Sequence, residues 1–259
     1  MSPPFVVVQL TDIHAGATWG PADPMLRLGA TLGAIAMLSR PVDAIVITGD
    51  LADNGLDVEY EQVFELVRAL DVPVYALPGN HDDRGRLRRH FGISGSDGAP
   101  VQYGADLGPL RLVCVDSTRP GHDDGELDAH RLEWLDRELA AAPDAPTMLA
   151  MHHPPFVTGM PAFDRIGLPD GDRRALSAVI ERHPQILTIV AGHIHTISVG
   201  AIAGRPAVTV PGTYAKAHLR LDADHLEFVS EPPTFAVHVL ADGGLTTHVE
   251  SAQSESAPA

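Results

Sequence analysis

The first third of the chain alternates two kinds of segment, and that alternation narrows the possible folds more than any other feature. Phe5–Leu10 (FVVVQL), Ala44–Thr48 (AIVIT) and Pro73–Leu77 (PVYAL) are short, β-branched runs of the kind found in buried strands. Between them lie two segments with helical periodicity, Met25–Ser39 and Val58–Leu70. Asp23-Pro24 supplies an N-cap and a first helical residue for the earlier one. Strand, helix, strand, helix, strand predicts a parallel sheet covered by helices. In such sheets ligands bind beyond the carboxyl ends of the strands.

The pattern continues with strand Leu110–Val115, helix Asp128–Ala141, strand Thr147–Met151, helix Asp172–His183 and strand Ile186–Val190. Trp134 and Leu135 read as a packing face of their helix. After residue 195 only strands are predicted, at Ile197–Ile202, Pro206–Val210, Phe235–Leu240 and Leu245–Val249, which suggests antiparallel pairing and a second sheet. Ser251–Ala259 (SAQSESAPA) has the composition of a disordered tail. One domain over residues 1–250 is the expected organisation.

Residues that can bind metal follow the apolar runs: Asp12 and His14, Asp50, Asn80, His152, then His193 and His195. Asp12-Ile13-His14 and His193-Ile194-His195 each set two ligands at i and i+2, on one side of an extended chain. In Pro78-Gly79-Asn80-His81-Asp82, Gly79 permits a sharp turn, Asn80 offers an amide oxygen to a cation, and His81 faces a substrate. The competing reading is an Asn in a left-handed turn beside a surface histidine. His152 directly follows its strand, whereas His153 points the other way into a supporting or structural role. Arg84, Arg86, Arg88 and Arg89 either approach the pocket or form a solvated helix face, and the solvated face is favoured. Asp116-Ser117 either lines the cleft or caps a turn.

Composition excludes several classes. The chain of 259 residues carries a net charge of −16, which repels nucleic-acid backbone and anionic membrane. A polymeric nucleic-acid substrate is therefore not expected, whereas a small phosphate ester remains compatible because bound cations dominate the local field. Cys114 is the only cysteine, so no intrachain disulfide forms, and it reads as a small buried hydrophobe. Met1–Leu10 lacks a basic region and a long apolar stretch, and no apolar run reaches membrane-spanning length, so a cytoplasmic setting is expected.

The blocks D-I-H, G-D, G-N-H-D, H-H-P-P and G-H-I-H, in this order over roughly residues 5–215, resemble the calcineurin-like metallophosphoesterase superfamily. Within it they are similar to class III cyclic-nucleotide phosphodiesterases and bacterial glycerophosphodiesterases. The resemblance implies a four-layer αββα sandwich, with two mixed sheets flanked by helices. It implies that Asp12, His14, Asp50 and His195 hold one metal, and that Asp50, Asn80, His152 and His193 hold the other. Asp50 then bridges both, and His81 touches the phosphate or the leaving oxygen. The implied chemistry is hydrolysis of small phosphodiesters, 3′,5′-cyclic nucleotides first, by in-line attack of a metal-bridging hydroxide between cations roughly 3.5–4 Å apart. Glycerophosphodiesters are the alternative substrate, and a nuclease or a non-catalytic metal-binding scaffold stands further back. Oxygen and imidazole donors suit Mn²⁺, Fe²⁺/Fe³⁺ or Zn²⁺, and the two carboxylates of the Asp12 site favour a more highly charged ion such as Fe³⁺. Some relatives carry a His or Gln just after the turn at Val210-Pro211-Gly212-Thr213. Here Ala215 and Lys216 follow, and His218 is displaced. Residues 215–250, with Phe228, Pro232, Pro233 and Phe235, are expected to cap the site or to form the contact of a homodimer or higher homo-oligomer.

Overall fold

The computed structural model describes residues 3–20 and 22–252. Its elements, in chain order, are β1 (Phe5–Leu10), α1 (Pro24–Ala36), β2 (Ala44–Thr48), α2 (Asp57–Val67), β3 (Val74–Leu77), α3 (Arg84–Phe91), β4 (Tyr103–Asp106) and β5 (Arg111–Cys114). Then follow α4 (Ala129–Ala140), β6 (Thr147–Ala150), α5 (Pro161–Asp164), α6 (Asp170–Ile180), β7 (Ile186–Ala191), β8 (Ser198–Ile202) and β9 (Arg205–Thr209). The last four strands are β10 (Lys216–Ala217), β11 (Phe228–Val229), β12 (Thr234–Ala241) and β13 (Gly244–Ser251). Asp23 caps α1 by accepting from the Met25 and Leu26 amides, and Pro24 opens the helix, as the Asp-Pro pair predicts.

Two sheets stack face to face. The first has the order β13-β12-β1-β2-β3 and the second β4-β5-β6-β7-β9-β8. In the first, β1, β2 and β3 run parallel, while β12 and β13 add an antiparallel edge. In the second, β5, β6, β7 and β9 run parallel, and β4 and β8 are antiparallel edges. Strand alternation divides each apolar run between two layers. Val7, Val46 and Leu77 meet Leu112, Met148 and Val190 between the sheets. Val6, Val8, Leu10, Ile45 and Ile47 turn outward against α1 and α2. Val113, Leu149 and Ile189 pack against α4 and α6, where Leu135 is buried and Trp134 partly so. Four layers, helix-sheet-sheet-helix, result. Cys114 is fully buried between the sheets.

Two expectations are corrected. The late strands pair antiparallel as expected, β8 with β9 and β12 with β13, but they divide between the two sheets: β8 and β9 extend the sheet of β5–β7, while β12 and β13 return to pair with β1. Pairing partners so distant in sequence leave no local signal. The arginines of α3 divide: Arg86 and Arg89 lie on a solvated face, each paired with Asp57, whereas Arg84 and Arg88 are buried. Arg84 donates to Asp116 and to the Thr118 carbonyl and hydroxyl, and Arg88 donates to the carbonyls of Ser94, Ala99 and Pro100. These arginines staple the loop before β4 to α3. Asp116 also accepts from the Val101 and Thr118 amides, so it anchors that turn.

At the C-terminus, Ser251 ends β13 and Ala252 is buried, so neither belongs to a tail. Residues 253–259 of the expected tail lie outside the described residues. Among the described residues no helix is long and apolar enough to cross a membrane.

Candidate metal centre

All seven sequence-predicted ligands converge at the carboxyl ends of β1, β2, β3, β6 and β7. The first four come from the first sheet and the three later histidines from the second, so the cluster closes the gap between sheets at one end. The reason differs from strand alternation. Asp12, His14, Asp50, His193 and His195 lie past their strands with φ of 51°, 50°, 50°, 72° and 48°. Left-handed backbone is costly for side chains of this size, and strain of this kind concentrates at functional sites. Here two left-handed turns in each pair, not the pleat, aim both side chains the same way. Gly49 is also left-handed at φ 101°, and a side chain there would collide with the His152 ring. At Gly79 a Cβ would collide with Asp50, so these two glycines let the turns close on the site.

Each ligand histidine has one ring nitrogen fixed by an oxygen acceptor. His14 Nδ1 donates to Asp53 Oδ1 at 3.0 Å, His152 Nδ1 to the Thr48 carbonyl at 2.8 Å, His193 Nε2 to the Ile166 carbonyl at 3.0 Å, and His195 Nδ1 to the Ala215 carbonyl at 2.9 Å. These partners fix the tautomers, so the other nitrogen of each neutral ring presents a lone pair. The lone pairs face one another and other acceptors. His14 Nε2 is 3.2 Å from His195 Nε2, and His195 Nε2 is 3.4 Å from Asp12 Oδ1. His152 Nε2 and His193 Nδ1 each lie 3.1 Å from Asn80 Oδ1. Asp50 Oδ2 is 3.6 Å from His14 Nε2 and 3.4 Å from His152 Nε2, standing between the two groups. Acceptors packed against acceptors repel unless positive charge lies between them. The donor set therefore fits two cations, one among Asp12, His14, Asp50 and His195, the other among Asp50, Asn80, His152 and His193.

The electrostatics agree. Burial presses the His152 imidazole toward neutrality, but the Asp50 carboxylate outweighs it and holds the pKa up at about 9. Burial opposes ionisation of Asp50, yet His152 and His14 hold its pKa well below the carboxylate range. A proton on His152 thus stands where the field favours a cation. Burial lowers His193 and His195, keeping both neutral and able to ligate.

His81 lies at the rim, not in the cluster. Its amide donates to Asp50 Oδ1 at 3.0 Å and its Nδ1 to the Asp53 carbonyl at 2.9 Å, and among the described residues its Nε2 has no hydrogen-bond partner. Burial pulls this imidazole toward neutrality, but Asp50, Asp53 and Asp82 hold its pKa above the ordinary value. His81 borders a cavity of about 410 Å³ shared with Asn80, Arg86, Asp97, Thr118 and Arg119. His153 packs beside the cluster, its ring 4.4 Å from that of His193; Ser117 Oγ and the Asp123 carbonyl hold its two nitrogens, and burial lowers its pKa to about 3.

Sequence reasoning missed Asp53, Asp82 as an anchor, and Trp19. Asp82 accepts from the Leu51, Ala52 and Gly79 amides and from the Tyr60 hydroxyl, tying the Asp50 loop to the Asn80 loop. Asp53 follows three residues after Asp50 in Gly49-Asp50-Leu51-Ala52-Asp53, and that spacing was the only available signal.

Fold and site together define the class, a metallophosphoesterase with its centre between two sheets. The chain belongs to the calcineurin-like phosphoesterase family, whose model matches residues 5–196. It is 32% identical over 253 residues to a probable glycerophosphodiester phosphodiesterase of Arcobacter nitrofigilis, covering 94% of this chain and 92% of that one. It is 34% identical over 220 residues to a cAMP/cGMP dual specificity phosphodiesterase of Mycobacterium tuberculosis, covering 82% and 68%. A dimetal phosphatase from Danio rerio shares the fold, with a TM-score of 0.71, 17% identity and 96% of each chain covered.

Proposed function

We propose that the protein is a metal-dependent phosphodiesterase acting on small diesters, with 3′,5′-cyclic nucleotides first. The observation that carries this reading is the set of opposed acceptors around Asp50, which accommodates two cations beside His81 Nε2. Bound cations supply Lewis acidity, which acidifies water and neutralises phosphoryl charge. Asp12, His14, Asp50 and His195 would hold one ion, and Asp50, Asn80, His152 and His193 the other. The residues themselves do three things. The carbonyl and carboxylate partners each hold one ring nitrogen of the four imidazoles and so turn the other nitrogen toward the centre. His81, held by the Asp53 carbonyl and kept protonatable by Asp50, donates through Nε2 to a phosphoryl or leaving oxygen. Asp82 fixes the turn on which Asn80 and His81 stand.

Diesters are preferred to monoesters because the arginines lining the cavity are already paired with carboxylates, Arg84 with Asp116, Arg86 with Asp57 and Arg119 with Asp124. Mn²⁺, iron and Zn²⁺ all suit the donors, and the two carboxylates of the Asp12 group favour Fe³⁺ there. Glycerophosphodiesters are the second reading, favoured by the hydrophilic cavity beside His81, whose lining contains no aromatic side chain apart from His81. The exposed Leu219, Leu221 and Leu226 in the segment before β11 support association of two copies, checked by sedimentation. The acidic composition and lone buried cysteine support a cytoplasmic site of action.

The test is kcat/KM for 3′,5′-cyclic AMP and for glycerophosphoethanolamine on Mn²⁺-loaded protein, with Asp50→Ala as control. A preference of roughly 100-fold for the cyclic ester, about 2.7 kcal/mol, supports the first reading. The reverse preference supports the second, and activity on diesters that survives Asp50→Ala would remove both.

A further inference from the structure

The two flanks of the candidate centre differ in chemistry. Beside Asn80 and His81 lies the hydrophilic cavity. Beside His14 and His195 stands an aromatic wall. Trp19 is 43% exposed, although its ring is wedged among other rings. It lies 4.7 Å from Phe228, 4.6 Å from Tyr214 in a T-shaped contact, and 5.3 Å from His14. Phe228 is 5.0 Å from His195. The Trp19 indole N–H donates to Asp53 Oδ1 at 3.0 Å, so the ring is pinned before any ligand arrives. Tyr214 is buried and its hydroxyl accepts from the Gly20 amide, which holds the loop carrying Trp19.

We infer that Trp19 and Phe228 form a stacking platform for a nucleobase. The inference rests on the phosphodiesterase reading and adds the chemical class of the substituent. A large aromatic side chain left open to water is unfavourable by itself, and packing interior to the protein does not require it. A flat π-faced ring can cover the part of Trp19 that is open to water, and any base serves because every base has a π-face. Pinning by Asp53 and Tyr214 removes the ordering that a mobile ring would undergo on binding. A glycerol or ethanolamine substituent has no π-face to offer. The platform therefore separates cyclic nucleotides from ringless diesters at the substituent, while the metals and His81 treat their phosphates alike.

The chain has two tryptophans, and Trp134 lies on α4 in the opposite helical layer. In a Trp134→Phe background Trp19 is the sole indole reporter. With Mn²⁺-loaded protein, adenosine should quench its fluorescence saturably and ribose should not. Absence of an adenosine effect, or an equal effect of ribose, overturns the platform. That measurement needs no turnover, so it stands apart from the phosphodiesterase reading, which fails only if no diester is hydrolysed. In kinetics, Trp19→Leu should raise the ratio of KM for 3′,5′-cyclic AMP to KM for glycerophosphoethanolamine by about tenfold, with kcat little changed. Trp19→Phe keeps a ring but loses the bond to Asp53, and should hold that ratio within about threefold of the parent. If Trp19→Leu moves both KM values equally, Trp19 acts only through Asp53 and His14, and the platform is wrong. Should Trp19→Leu fold poorly, Phe228→Leu removes the second ring without touching Asp53, and an unchanged ratio there overturns the proposal equally.

Discussion

Asp53 Oδ1 accepts from His14 Nδ1 at 3.0 Å, making His14 the one candidate ligand whose second nitrogen meets a carboxylate while the other three imidazoles meet backbone carbonyls. A carboxylate raises the basicity of the imidazole more than a carbonyl does. The two halves of the centre are therefore unequal in what stands behind their ligands as well as in the ligands themselves. The same carboxylate oxygen receives the Trp19 indole, and the Asp53 carbonyl receives His81.

Replacing this support should weaken one ion selectively. Asp53→Ala is expected to lower affinity at the Asp12-side position by roughly 10- to 100-fold and to leave the Asn80-side position near its parent value. Equilibrium dialysis against Mn²⁺ with elemental analysis reads the two stoichiometric steps. Equal weakening of both steps, or of neither, would sink the assignment.

Loading the centre should also release a proton. His152, with its pKa at about 9, is protonated at neutral pH in the cation-free protein and must lose that proton to ligate. Protons compete below pH 9, so metal affinity on the Asn80 side should climb as pH rises and level off near 9. Titration calorimetry at pH 7.5 in buffers of different ionisation heat should show about one proton released per chain at this position. A binding enthalpy independent of buffer would contradict it.

Much of this was legible in the sequence because it is local. The runs Phe5–Leu10 and Ala44–Thr48 announce buried strands, and both form with those limits. The ligand blocks sit at strand ends, where a chain leaving a parallel sheet must place them. Three things were not legible. Pairing of β12 with β1 joins residues over 200 positions apart, and no periodicity records it. The aim of Asp12 and His14 comes from left-handed backbone, which a strand-like reading of D-I-H reaches for the wrong reason. The burial of Arg84 depends on Asp116, 32 residues on, and charge alone argues for the surface.

That pair yields a stability prediction. Asp116 is fully buried, and Asp116→Ala leaves the Arg84 guanidinium enclosed without its carboxylate and two amides without their acceptor. The expected loss in urea unfolding is about 3–5 kcal/mol. Adding Arg84→Leu should recover a good part of it. A loss below about 1 kcal/mol would mean that the enclosed ion pair is not what holds this turn.

A second stability prediction concerns acid. His238 in β12 is buried, with Nε2 3.2 Å from Gln9 Oε1 and Nδ1 2.8 Å from Thr247 Oγ1, and burial lowers its pKa to about 3. Between the ordinary 6.5 and 3 the unfolded chain binds a proton that the folded chain refuses. The contribution of His238 is thus complete above pH 6.5 and is lost as pH falls below it, by about 1.4 kcal/mol per unit. His238→Gln should lose about 2 kcal/mol less than the parent between pH 7 and pH 5. Parallel stability curves for the two proteins would rule the group out.

The candidate centre would take its donors from both sheets, and this has a consequence for when selection of an ion occurs. As the chain leaves the ribosome, residues 12 to 80 emerge first and offer Asp12, His14, Asp50 and Asn80 alone. The three remaining imidazoles arrive more than seventy residues later. No part-made chain presents a complete nest for an ion, because each candidate donor set is closed by a histidine that follows the strands of the second sheet. The choice among available metals is thereby postponed to the finished molecule, where cavity shape can override the intrinsic ranking of affinities that a loose histidine-rich peptide would obey.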